Sequence, residues 1–181
     1  YGKIERDPRR AFRRERVSPD YSRPVKLPDY EAPDYLLVDG YNMIYAWDEL
    51  KKIAGESLDA ARAELINILA SYQAMDGSAV IIVFDAYRVK GKYREEEKLY
   101  NISIVYTQEN ETADSYIERR SRELSQKHRV RVATSDGAEQ QIVLGNGAFR
   151  VSAAELRQRV LAARADAAAY MKGSSGGNGI K

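Results

Sequence analysis

Tyr35-Leu-Leu-Val-Asp39, followed directly by Gly40-Tyr-Asn42, is the stretch on which the reading of the whole chain turns. Its first four residues carry no charge and show no alternation. It therefore reads as a strand buried on both faces, as in a parallel sheet, and not as one face of a wet hairpin. An aspartate closes it at the carboxyl end. Working outward, Ala79-Val-Ile-Ile-Val-Phe-Asp85 repeats the same design, strand first and aspartate last. Ile102-Ser-Ile-Val-Tyr106 and Val130-Arg-Val-Ala-Thr134 are shorter strands, and the latter leads straight into Ser135-Asp136. Between the strands the apolar residues return every three or four positions. Leu58, Ala61, Leu65, Ile68, Leu69, Tyr72 and Met75 form one such stripe, with Ser57 placed as its N-cap. A more polar helix is expected over 112–127, burying Ile117 and Leu124. Another begins at Ser152, where Ser-Ala-Ala-Glu155 makes a capping box, and runs towards Tyr170. Strands alternating with helices predict an α/β fold, a three-layer sandwich with a central, mainly parallel sheet flanked by helices.

Composition narrows the chemistry. The chain has 181 residues, 44% hydrophobic and 31% charged, with 29 Lys+Arg against 27 Asp+Glu. It contains no cysteine, which excludes thiol catalysis and thiolate metal sites. One histidine, His128, excludes any centre built from two imidazoles. No apolar run nears the roughly 20 residues of a membrane helix, and the first residues do not read as a signal peptide. A soluble, cytoplasmic protein without membrane association is expected. All five prolines fall within the first 34 residues, beside Arg9, Arg10, Arg13, Arg14 and Arg16. Residues 1–34 thus read as an extended linker or arm, either merely solvated or contacting phosphates. Residues 35–172 are the expected folded domain. Residues 173–181, rich in glycine and serine, are the expected flexible tail.

In open α/β sheets, ligands sit outside the carboxyl ends of the strands. Asp39, Asp85 and Asp136 all stand at such ends, so one sheet edge would gather three carboxylates distant in sequence. Gathered carboxylates repel unless a cation or shared proton offsets the repulsion. Oxygen donors with no nearby Cys or His suit a hard ion, Mg²⁺ or Mn²⁺. Such an ion suits phosphodiester hydrolysis. The plainer reading of each aspartate is a cap on the helix that follows. Asp114, near the start of the helix opened by Asn110-Glu-Thr-Ala-Asp114, is a fourth candidate, or else a complement to the helix dipole. Asn42 either orients Asp39 or caps a short helix. Gly40 is expected to let backbone approach a ligand closely.

Leu37-Val-Asp-Gly-Tyr-Asn-Met43, Val83-Phe-Asp-Ala86, Glu111-Thr-Ala-Asp114 and Ala133-Thr-Ser-Asp136, in this order and spacing, resemble the YacP-like branch of the NYN nucleases, within the PIN-like superfamily. The resemblance spans about residues 35–170. It implies a PIN-like sandwich and a Mg²⁺- or Mn²⁺-dependent endoribonuclease. By the same resemblance Asp39, Asp114 and Asp136 match metal-binding carboxylates, Asn42 matches the family's asparagine, and Asp85 matches the acidic residue after the second core strand. Bacterial members of this branch are associated with ribosome-dependent cleavage of messenger RNA, which implies mRNA as substrate and the ribosome as partner. The Pro- and Arg-rich arm departs from the simplest members and suggests a piece of a longer chain, joined to something upstream. The alternative function is a non-catalytic PIN-like module that binds RNA or ribosomes. A haloacid-dehalogenase-like phosphatase would need Asp-x-Asp where this chain has Asp39-Gly-Tyr.

Several residues are candidates for holding substrate. Arg88, Lys90 and Lys92 lie in a basic, glycine-containing loop that could grip the RNA backbone, with Tyr87 or Tyr93 stacking on bases. The other reading of this loop is a solvated segment paired with Glu95, Glu96 and Glu97. Ser135 could touch a phosphate or metal-bound water, or cap a helix. Glu139 could support a metal ligand. Arg119, Arg120 and Arg122 are expected on an exposed helix face, either solvated or touching RNA. His128 is expected at the surface, at a helix end.

Overall fold

The structure, a computed structural model, describes residues 29–86, 95–99, 101–135 and 147–175. In chain order the elements are β1 (Glu31–Asp39), α1 (Gly40–Ala46), α2 (Asp48–Glu56), α3 (Leu58–Asp76), β2 (Ala79–Phe84), β3 (Glu95–Leu99), β4 (Ile102–Tyr106), α4 (Ala113–Leu124), β5 (His128–Ala133), β6 (Phe149–Val151) and α5 (Ala153–Ser175). Six strands form one sheet in the order β3-β4-β2-β1-β5-β6. Every pairing is parallel except the β3–β4 hairpin. This is the mixed α/β architecture expected from the sequence, with helices on both faces.

β1 lies at the centre because it can. Leu36, Leu37 and Val38 are wholly buried, and alternate residues serve opposite layers. Leu36 and Val38 join a core with α1, α2, α3 and α5, where Met43, Ile44, Leu50, Leu65, Leu69, Leu156 and Val160 pack. Leu37 joins Ile81, Val83, Val105, Val130 and Val132 in a second core beneath α4, closed by Tyr116, Ile117 and Leu124.

The helix caps follow the sequence. Ser57 Oγ accepts from Ala60 N at 3.1 Å, opening α3, and Ser152 Oγ accepts from Glu155 N at 3.1 Å, opening α5. Gly77, in the left-handed region at φ 79°, ends α3.

Four boundaries differ from expectation. β1 starts at Glu31, and its register against β5 shifts between Glu31 and Tyr35, the segment containing Pro33. α4 stops at Leu124, before the expected 127. His128 is consequently the first residue of β5 and not a helix end; its Nδ1 lies 2.9 Å from the Glu31 carbonyl, and its ring meets Tyr35 edge-on. Glu95–Leu99, expected as part of a charged loop, is an edge strand, where exposed charge is tolerated and discourages further pairing. At the far end, α5 carries on through Gly173 to Ser175. Among the described residues no helix is long and apolar enough to cross a membrane.

Gly40 has a packing role and not the ligand approach expected of it. A Cβ there would run into the Phe84 ring, with Cδ1 at 2.6 Å. That ring is fully buried between Tyr41, met edge-on at 5.3 Å, and Tyr106, stacked at 5.7 Å, so it has little room to give. Gly40→Ala should therefore destabilise the protein by about 1–3 kcal/mol in urea unfolding, and Phe84→Leu in the same chain should restore part of the loss.

A polar network ties α3 to β5 at the amino end of the sheet. Asp76 accepts from Tyr72 Oη at 3.0 Å, from Arg131 Nη2 at 2.7 Å and from the Ser78 hydroxyl. Burial alone would raise the Asp76 carboxyl, but the hydrogen bonds from Ser78, Arg131 and Tyr72, with the Arg131 charge, hold it below 3.8. A lowered native pKa contributes stability that is present above 3.8 and lost as pH falls through the native value. The stability advantage of the wild type over Asp76→Asn should thus be largest near neutral pH and shrink on acidification below pH 3.8. A gap that stays constant through that range would contradict the network's role.

Candidate active site

The register sets the strand ends level. Asp39 pairs with Val83 across β1–β2, and Val38 pairs with Ala133 across β1–β5. Asp39, Asp85 and Thr134 therefore share the carboxyl edge of three neighbouring strands. α4 starts at the same edge, since the chain leaves β4 there and returns antiparallel to the sheet, and this places Asp114 in its first turn. β1 leads by way of α1–α3 to β2 on one side, while β4 leads through α4 across to β5 on the other. The strand order thus reverses at the β1/β5 boundary, the place where open α/β sheets form a ligand crevice.

Asp39 is buried at 5% exposure. It caps α1, its Oδ1 accepting from Asn42 N at 3.2 Å and its Oδ2 from Asn42 Nδ2 at 3.1 Å. The same Nδ2 donates to Thr134 Oγ1 at 2.9 Å. Of the two roles expected of Asn42, orienting the carboxylate is the one seen: its side chain fixes the plane of Asp39, while the cap of α1 is Asp39 itself, because Asn42 lies inside the first turn as the donor. It also locks the end of β1 to the end of β5, across 92 residues of sequence. Thr134 is wholly buried, and its own N–H reaches the Val151 carbonyl at 3.3 Å.

Thr107 does the matching work beyond β4. Its N–H donates to the Phe84 carbonyl at 3.0 Å and its Oγ1 accepts from Ala86 N at 3.1 Å. These two bonds bracket Asp85 and hold the turn that presents it. Neither threonine was singled out from the sequence. The available signal was a hydroxyl residue directly after a β-strand, a position where an unpaired buried hydroxyl is costly and a partner must exist.

The remaining candidates divide as follows. Asp85 is half-buried, whereas Asp114 and Ser135 are exposed at the same edge. Thr112, not Asp114, caps α4, accepting from Ser115 N at 3.1 Å. Glu111 accepts from Arg119 at 2.8 Å. Arg120 pairs with Glu123 at 3.0 Å and Arg122 with Glu118 at 2.9 Å, so all three arginines of α4 are matched by local glutamates. Asp136, Glu139, Tyr87, Tyr93, Arg88, Lys90 and Lys92 lie outside the described residues.

The donor chemistry at this edge, carboxylate and amide oxygen with no imidazole or thiolate, suits a hard divalent cation. Among the described residues no three carboxylates converge closely enough to hold one. Asp39 is the buried, oriented member of the set, and Asp136, two positions after Thr134 in the chain, is the expected partner outside it. His128 stands at the opposite edge of the sheet, so imidazole has no part here.

Known proteins share the sequence and the fold of this chain. The YacP-like NYN domain family matches residues 36–177. The YacP protein of Bacillus subtilis (strain 168) is 45% identical over 128 residues, covering 70% of this chain and 75% of that protein. The crystal structure of Rae1 (YacP) from Bacillus subtilis superposes with a TM-score of 0.69 at 40% identity, covering 80% of this chain and 83% of that one. A point mutant of the same protein gives 0.69 at 38% identity, with 81% and 86% covered. A sheet that sets Asp39 and Asn42 at its crevice, on a chain matched over most of its length, leads to one conclusion: the protein belongs to the YacP-like NYN domain family, a PIN-like nuclease domain.

Proposed function

We propose that this protein is a divalent-metal-dependent endoribonuclease that cuts messenger RNA by hydrolysis and acts in association with the ribosome. The observation that carries the reading is the Asp39–Asn42–Thr134 relay at the switch point of the sheet. A carboxylate buried to this degree and held in a single plane from both oxygens is organised for a ligand, where a mere helix cap needs only the bond to Asn42 N.

Asp39, with Asp114 and Asp136, would hold Mg²⁺ or Mn²⁺, which when bound supplies positive charge for a phosphoryl group and acidity for a coordinated water. The residues themselves position and exclude. Asn42 keeps Asp39 from rotating, Thr134 keeps Asn42 from flipping, and the Thr107 clamp holds the turn that carries Asp85. Ser135, exposed beside Thr134, would hydrogen-bond a phosphate oxygen. Arg88, Lys90 and Lys92, following Asp85 in the chain, would hold the RNA backbone. With no imidazole pair to drive attack by the 2′-hydroxyl, water is the nucleophile, and products carry 5′-phosphate and 3′-hydroxyl ends.

Asp39→Asn should abolish cleavage while leaving far-UV circular dichroism and the unfolding midpoint close to wild type, and EDTA should do the same to the wild type. Cleavage at the wild-type rate by the folded variant, or products ending in 2′,3′-cyclic phosphate, would sink the assignment. Comparing naked mRNA with mRNA on stalled ribosomes tests the ribosomal part, which predicts faster cutting on the ribosome.

Thr134→Val keeps the side-chain volume but removes the acceptor that orients Asn42. Cleavage should fall about 10- to 100-fold, as when a residue supporting a metal ligand is lost, and Thr134→Ser should retain most of it. Equal activity in the valine and serine variants would deny the relay its role.

A further inference from the structure

On the face of the sheet that carries α4, the helix leaves part of the strands uncovered. α4 packs mainly over β1, β2 and β5, so β4 and β3 run out beside it. A groove of about 810 Å³ lies between. Its floor follows from register. Ile81 pairs with Ser103 and Ser103 with Lys98, so these three share the face on which Ile81 joins the core beneath α4. Its wall is one stripe of α4, Tyr116, Arg119, Arg120 and Glu123, spaced by three and four residues. Tyr116 stands within a turn of Asp114, and Glu123 lies in the last turn. The groove therefore follows the helix from the acidic edge to the amino edge, a run of about 18 Å.

The charges along it are matched. Arg120 pairs with Glu123 and Arg119 with Glu111, while Glu96 and Lys98 stand two apart on β3 with opposite signs. Such a surface has little net attraction for phosphates, and what it presents is hydrogen-bonding groups. The decisive one closes the amino end. Gln73, on α3, lines the groove there and is 9% exposed. Its backbone carbonyl accepts from Gly77 N at 2.9 Å, but among the described residues its side-chain amide has no hydrogen-bond partner. Leaving the donors and acceptor of a buried amide unpaired is costly, so this end suits a group with the reverse pattern. Asn101, in the β3–β4 turn, presents a second amide at the same end.

An adenine base supplies that pattern. Its N6 amino group and N7 lie side by side, and glutamine meets them bidentately. In unpaired RNA that edge is open to the protein. We propose that this groove carries an unpaired RNA strand away from the acidic edge, and that Gln73 reads an adenine at its far end. The proposal rests on the reading of RNA as substrate, and gives that substrate a preferred base remote from the scissile bond.

The test uses the full chain in EDTA, so that nothing is cut. Fluorescein-labelled oligoadenylate and oligouridylate of about 12 nucleotides are compared by anisotropy across a salt series. The wild type should bind oligoadenylate about tenfold more tightly, the share of one bidentate pair. Gln73→Met keeps an unbranched side chain without the amide. It should bind both oligomers alike, at the wild-type affinity for oligouridylate and with the salt slope unchanged, melting curves verifying its fold. Ser103→Tyr leaves α3 untouched and fills the floor of the groove, and it should lose the preference too. Asp39→Asn should keep it. A wild type that binds both oligomers equally would overturn the proposal, as would a tenfold preference that survives in Gln73→Met or Ser103→Tyr. The two readings fail separately. A wild type that cleaves in Mn²⁺ while Gln73→Met keeps the adenine preference loses only the groove. A wild type that reads adenine through Gln73 but never cleaves loses only the nuclease.

Discussion

Parallel pairing of β1 with β2 on one side and β5 on the other is the constraint from which the candidate site follows. Each pairing is fixed in register by residues that are buried on both faces, so a slip of one residue would send Leu36 and Val38 into the wrong core. With the register fixed, Asp39 must end level with Thr134, and the Asn42 amide can span the two. The hydrogen bonds of this relay are individually modest. Their effect is positional, because they convert the end of a strand into a carboxylate of defined plane.

The sheet is consequently polar in a chemical sense. Its carboxyl edge collects Asp39, Asp85 and Asp114, while its amino edge collects Asp76 and Arg131. At the amino edge Asp76 is neutralised by a guanidinium of the protein itself, and its hydrogen bonds lower its affinity for a proton. At the carboxyl edge Asp39 accepts from the Asn42 backbone N–H and side-chain amide, which fix the plane of its carboxylate.

Much of this was legible from side-chain patterning. The four long strands, α3 and α5 with their serine caps, and the strand-end positions of Asp39 and Asp85 all appear where hydrophobic runs and caps put them. The misreadings share a cause. Glu95–Leu99 looks like a charged loop because edge strands need no hydrophobic face. His128 was read as a helix end because the pattern of α4 does not reveal that the helix stops at Leu124. The arginines of α4 lie on the helix surface as expected, and the fold adds that each pairs with a glutamate within one or two turns. Gly40 looked like an accommodation for a ligand, when its neighbour is a phenylalanine 44 residues along the chain that only the fold brings to it.

The sequence by itself determined the class of fold, the family and the chemical character of the site, because buried runs, caps and aspartates at strand ends are local facts recorded in residue order. Only the tertiary structure decided which groups meet. Thr134 serves Asn42, Thr107 frames Asp85, and Arg131 meets Asp76, because strand register and crossover connections set distant residues side by side. Sequence separation carries no trace of such proximity until the chain is folded.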